Sequence, residues 1–184
     1  MVLLVNACVR KESRTKRLAE RLTKQLDGDV REVLLSDVQF PVADEAFLAK
    51  RDELIAREEW SDPMFDLARQ FASADTIVVA APYWDLSFPA SLKQYFEQIN
   101  VLGITFQYSP EGTPVPLCRA KKLYYVMTAG GAFVPEEFGF GYVRTLAQSF
   151  YGIEDVRLIK AVGLDIYGAD VEGIMKDALD SVKA

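Results

Sequence analysis

The sequence predicts an α/β fold in which a doubly wound sheet of five parallel strands carries helices on both faces. Two observations predict it. Short, continuous apolar runs rich in valine, leucine and isoleucine recur along the 184 residues, as they do in strands buried on both faces. Between these runs lie segments whose apolar residues fall at helical spacing, so that strand and helix alternate.

Val2 to Val5 is the first buried run, followed by the polar segment Asn6 to Glu12. Ser13 is a helix cap, with Leu18, Ala19, Leu22 and Leu26 on one face up to a stop near Gly28. Val30 to Leu35 reads as the second strand. In Phe40 to Trp60, Pro41 interrupts the pattern, and Phe47, Leu48, Leu54 and Ile55 suggest one helix. Asp62 caps another, with Pro63 in its first position and Phe65, Leu67, Ala68 and Phe71 as its apolar face. Thr76 to Ala81 is the strongest strand. A helix is expected from about Pro89 to Asn100, with Tyr95 and Phe96 as core residues. Residues 104–117 carry three prolines and Gly112 among aromatic residues, which suggests an excursion or hairpin. Leu123 to Thr128 is a further strand. A helix near 139–151, a strand from Val156 to Val162 and a helix near 170–182 complete the pattern. No repeat, linker or low-complexity segment divides the chain, so one domain over 1–184 is expected.

In parallel sheets ligands bind outside the carboxyl ends of the strands. Segments 6–14, 82–88 and 128–134 lie at such ends and are expected to meet in one crevice. The first ends at a helix N-terminus, where unpaired N–H groups and the positive dipole end favour an anion. Ser13 and Thr15 add hydroxyls, Arg14 adds a fork suited to phosphate oxygens, and Arg10, Lys11, Lys16 and Arg17 make the surroundings basic. The second presents Tyr83-Trp84 where a strand ends, a flat wall for a flat heterocycle.

Residues 80–99, from Ala80-Ala81-Pro82-Tyr83-Trp84-Asp85-Leu86 into the Leu92-Lys93 helix, resemble the flavin loop of the flavodoxin-like NAD(P)H:quinone oxidoreductase and FMN-dependent azoreductase family. Residues 103–108 and Thr128-Ala129-Gly130-Gly131 resemble its next segment and its third flavin loop, and Ser13-Arg14-Thr15 falls where the family binds phosphate. The resemblance covers nearly the whole chain. It implies a flavodoxin-like fold with FMN as cofactor. Ser13, Arg14 and Thr15 would hold the FMN phosphate, and Pro82, Tyr83, Trp84, Asp85 and Leu86 would line one edge and face of the ring. Thr128, Ala129, Gly130 and Gly131 would cover its pyrimidine end. FAD is less expected, because no adenine pocket is evident. The family implies a homodimer in which Tyr108 reaches the flavin site, so Trp84 and Tyr108 would form the substrate pocket. The activity implied is electron transfer from NAD(P)H to quinones or related azo or nitro acceptors by a ping-pong mechanism. The flavin N5 carries the chemistry and no side chain is catalytic. Trp84-Asp85-Leu86 departs from the usual Tyr-Asn-Phe, and a carboxylate at 85 near the ring would disfavour an anionic hydroquinone unless it points to solvent.

Two alternatives come from other classes. A flavodoxin-type electron carrier would share the fold, but the 104–117 excursion favours an enzyme. Cys8, five intervening residues and Arg14-Thr15 also match the cysteine phosphatase signature, with Cys8 as nucleophile and Arg14 as phosphate clamp. The loop lacks the glycine and asparagine that ease a wrap around the anion, and Glu12 places a negative charge nearby.

Composition narrows the rest. The net charge of −6 and pI of about 4.8 argue against a nucleic-acid partner. Histidine is absent, which removes imidazole ligands and the Ser-His-Asp triad. Two distant cysteines make neither a disulfide framework nor a zinc site, so no metal is expected and a cytoplasmic location is the default. No apolar run approaches the ~20 residues that span a bilayer.

Overall fold

The computed structural model describes residues 1–182. Strands β1 (Val2–Asn6), β2 (Val30–Leu34), β3 (Thr76–Ala80), β6 (Lys122–Thr128) and β7 (Asp155–Ala161) form an all-parallel sheet in the order β2-β1-β3-β6-β7. Between β3 and β6, strands β4 (Phe106–Tyr108) and β5 (Pro114–Pro116) form a separate antiparallel hairpin, the excursion expected over 104–117. Trp60 holds its entrance: a Cβ on Gly103, whose φ is +84°, would stand 2.6 Å from the Trp60 ring.

The pleat sorts the core. Val2, Leu4, Val78, Ala80, Tyr124 and Val126 point to one face, where they pack on α1 (Arg14–Thr23) and α6 (Val171–Ser181) through Leu18, Leu22 and Met175. Their neighbours Leu3, Val5, Ile77, Val79, Leu123 and Tyr125 point to the other. There they meet α3 (Asp66–Ser73), α4 (Ala90–Ile99) and α5 (Phe140–Leu146) through Phe71, Tyr95, Phe96 and Val143. Each such fully buried side chain contributes roughly 1.5–3 kcal/mol of transfer free energy.

Several boundaries differ from the sequence reading. Helix α1 ends at Thr23, ahead of Gly28. The expected 139–151 helix is α5 continued by a π-helical turn, Ala147–Tyr151, which stops at left-handed Gly152. Helix α2 (Glu45–Ala56), capped by Asp44, buries only Leu54 fully and leaves Leu48 exposed. The Pro63 segment is a short 3-10 turn leading into α3.

Because β1 lies between β2 and β3, the connections leaving β1 and β3 diverge in opposite directions. That switch point opens a crevice outside their carboxyl ends.

Candidate functional site

The first loop is held from beneath by Asn6, which is fully buried. Its side-chain oxygen accepts from the Cys8 N–H at 2.9 Å, and its Nδ2 donates to Glu32 Oε1 at 2.7 Å. Ser13 then caps α1, its Oγ accepting from the Lys16 N–H at 3.2 Å. Beyond this cap, the N–H groups of Arg14 and Thr15 have no intrahelical acceptor and remain free to donate. Thr15 is buried and shares a 2.7 Å hydrogen bond with Thr128. Whichever hydroxyl accepts in that pair keeps its own proton to donate. Arg14 Nη1 pairs with Asp165 Oδ1 at 2.9 Å.

The second loop leaves β3 as an extension of the sheet: Ala81 N–H donates to Val126 and Tyr83 N–H to Thr128, both at 2.9 Å. The chain then reverses. Trp84 and Ser87 exchange both backbone hydrogen bonds, at 3.1 and 2.8 Å. Asp85 and Leu86 sit between them with φ of +50° and +67°. Two positive φ values mark a type I′ turn, which normally takes Asn-Gly. Leu86 has no such freedom, and left-handed backbone costs an ordinary residue about 1–2 kcal/mol. Such strain persists where surroundings impose it and clusters at ligand sites. Here they are hydrogen bonds from Tyr83 Oη to the Pro135 carbonyl (3.2 Å) and from Ser87 Oγ to the Phe138 carbonyl (2.7 Å). Trp84 is left 41% exposed at the crevice. Burial and then the Glu137 charge raise the Tyr83 phenol above its ordinary value, so it keeps its proton at neutral pH.

The third loop brings Thr128, Ala129 and Gly130 to the crevice. A fourth, following β7, completes it with Leu164 and Asp165. Leu164 N–H donates to Ala129 at 3.2 Å and Asp165 N–H to Gly130 at 2.9 Å. A Cβ on Gly130 would lie 2.3 Å from Asp165 Oδ2, whereas one on Gly131 would meet nothing. Glycine at 130 therefore makes room for a carboxylate of the chain itself.

Together these loops enclose a crevice of about 370 Å³, within the range of small-molecule sites. Ser13, Arg14, Thr15, Pro82, Tyr83, Trp84, Thr128, Ala129 and Gly130 all line it, as do Cys8, Val9, Arg10 and Glu12. Four residues named from the sequence do not. Asp85 and Leu86 are turned to solvent by the left-handed turn, which takes the 85 carboxylate away from the crevice wall. Gly131 is exposed beyond the rim, and Tyr108 stands half-exposed on the hairpin against Phe106. Leu164 and Asp165 were missed in the sequence. The signal for them was their place after β7, the neighbour of β6, under the same carboxyl-end rule.

Cys8 bears on the phosphatase alternative. It is 5% exposed, at the carboxyl-end edge of the core cluster beneath α1, with Sγ 3.9 Å from the Ala80 carbonyl oxygen. Burial pushes its thiol up, outweighing the hydrogen bond with Ser13 and the charge of Lys16. A nucleophilic cysteine needs the opposite shift.

A larger cavity, about 610 Å³, lies against α2 and α3, lined by Phe40, Pro41, Phe47, Met64 and Leu67 among others. None of the four loops reaches it. Among the described residues, no helix is long and apolar enough to cross a membrane, and no group of histidine, cysteine or acidic side chains is placed to hold a metal ion.

Known proteins match this chain throughout. The Flavodoxin_2 family, described as a flavodoxin-like fold, matches residues 1–184. An FMN-dependent NADH:quinone oxidoreductase of Coprothermobacter proteolyticus is 37% identical over 178 residues, 91% of this chain and 88% of that protein. FMN-dependent NADH:quinone oxidoreductase 2 of Clostridium acetobutylicum is 46% identical over a shorter stretch, 63% of this chain and 60% of that protein. The crystal structure of an azoreductase from Bacillus anthracis superposes with a TM-score of 0.84 at 24% identity, over 98% of this chain and 95% of that one. The likeness to that structure establishes the shared fold.

Proposed function

The chain belongs to the Flavodoxin_2 family, and on that premise we propose that it is an FMN-dependent oxidoreductase passing electrons from NAD(P)H to quinones or related flat acceptors such as azo compounds. One observation carries the reading. The free donors at the N-terminus of α1 face an exposed aromatic wall across a single crevice at the switch point of the sheet. An anionic group and a flat ring on one ligand match those two ends. The names of the oxidoreductases similar to this chain support the cofactor and the reaction.

When bound, FMN supplies the redox chemistry, accepting hydride from the nicotinamide and yielding electrons to the acceptor. The chain's own residues bind and orient. Ser13 Oγ and the Arg14 and Thr15 N–H groups hold the phosphate, with the Arg14 guanidinium as its counter-charge. Thr128, Ala129 and Gly130 offer backbone groups to the ring's polar edge, while Pro82, Tyr83 and Trp84 form its wall. Asp85, Leu86 and Gly131 belong to turns that shape this wall. With no histidine in the chain, protons for the acceptor come from water or a tyrosine, and Tyr83 keeps its phenolic proton at neutral pH. The domain spans the whole chain. A homodimer in the cytoplasm fits the reading, in which Tyr108 of the partner subunit would close the substrate pocket.

One mouth implies that donor and acceptor take turns. With NADH and a quinone both varied, initial rates are expected to give parallel double-reciprocal lines, and the released flavin to be FMN by mass spectrometry. Trp84→Ala is expected to weaken flat acceptors more than FMN. Intersecting lines would require a ternary complex. A bound flavin that nicotinamides cannot reduce would make the chain an electron carrier.

A further inference from the structure

We infer that Asp165 is a positioning residue of the anion end of the crevice, holding the Arg14 guanidinium in place for a phosphate; the inference rests on the reading of the crevice as an FMN site. Arg14 stands in the first turn of α1 on a long side chain that is 39% exposed, and without a partner it would sample many rotamers. Asp165 reaches it from the opposite end of the chain, at 2.9 Å.

The carboxylate is placed by more than that ion pair. Three backbone hydrogen bonds fasten its loop to the third loop: Gly163 N–H to Gly131 at 2.9 Å, Leu164 to Ala129 at 3.2 Å and Asp165 to Gly130 at 2.9 Å. Its Oδ2 rests in the space left by the missing Cβ of Gly130. Position 130 thus accommodates the carboxylate, and the carboxylate fixes the arginine. Asp165 engages Nη1 alone, so the other donors of the guanidinium fork remain for phosphate oxygens. Arg10, which also lines the crevice, and the N-terminus of α1 offset the added negative charge.

The test is a double-mutant cycle read by quenching of flavin fluorescence. Wild type, Asp165→Asn, Arg14→Ala and the double variant are each titrated with FMN and, separately, with riboflavin, which lacks the phosphate. Asp165→Asn is expected to weaken FMN about two- to fivefold, the scale of an exposed ion pair, and to leave riboflavin unchanged. The double variant is expected to bind FMN no more weakly than Arg14→Ala alone, because both substitutions remove one shared interaction. Tighter FMN binding in Asp165→Asn would overturn the inference, showing a carboxylate that competes with phosphate. Equal loss of both flavins, or additive losses in the double variant, would also overturn it. A wild type that binds FMN beside an Asp165→Asn protein indistinguishable from it defeats this inference alone. A wild type that binds neither flavin defeats the functional reading beneath it.

Discussion

The first and second loops follow neighbouring strands and face one crevice, yet they are built in opposite ways. The first is a relaxed polar structure whose donors are aimed by side chains that are buried or half-buried: Asn6 supports its start, Ser13 caps its end, and Thr15 is pinned to Thr128. The second is apolar and strained. It exposes Trp84 and Leu86 and holds Asp85 and Leu86 in left-handed backbone, with its tension borne by Tyr83 and Ser87 on the 132–138 segment. Binding an anion calls for fixed donors, because a donor that must be ordered on binding loses part of its energy to entropy. Stacking on a flat ring calls for surface area, which a turn can present without directional bonds.

Separating the ends by mutation gives the largest effect. If Arg14 holds the phosphate as proposed, Arg14→Ala removes a charge-assisted hydrogen bond worth roughly 1.5–3 kcal/mol. FMN affinity is therefore expected to fall about ten- to a hundredfold, with riboflavin affinity almost unchanged. Equal losses for the two flavins would place Arg14 away from the phosphate and erase the division between the loops.

Relieving the strain of the second loop gives a smaller effect. Asp85→Asn with Leu86→Gly supplies the residues a type I′ turn prefers and should stabilise the fold by about 1 kcal/mol, after the extra freedom of glycine in the unfolded chain is counted. Differential scanning calorimetry should show a midpoint raised by roughly 2–4 °C. An unchanged or lower midpoint would mean that the turn carries no strain.

The smallest effect is expected at Cys8, the one reactive side chain in the relaxed loop. Its thiol titrates above its ordinary value. It should therefore stay protonated as pH rises through the range where free cysteine ionises, and iodoacetamide should label it far more slowly in the native than in the unfolded protein. Cys8→Ser should leave FMN affinity unchanged, and the wild type should not hydrolyse aryl phosphates. Hydrolysis lost in Cys8→Ser would restore the phosphatase reading.

Much of this arrangement was legible beforehand because its causes are local. Ser13 and Asp62 cap where read, since a cap is a contact between residues two or three apart. Phe47, Leu48, Leu54 and Ile55 do lie on one helix, but helical spacing alone does not say which of them a second layer covers: Leu54 is buried and Leu48 exposed. The space left by the missing Cβ of Gly130 is taken by Asp165, more than thirty residues further on, a contact no local pattern announces.

The sequence by itself determined the alternation of strand and helix, the two-faced burial of the sheet, and hence the gathering of three loops at the carboxyl ends of its strands. Those follow from hydrophobic periodicity and from capping, which act over a few residues. Only the tertiary structure decided that Asp85 and Leu86 turn outward, that Cys8 is buried, and that a fourth loop brings Asp165 onto Arg14. Each of these depends on segments distant in sequence meeting in space, where hydrogen bonds, packing and charge are settled between partners that no local pattern links.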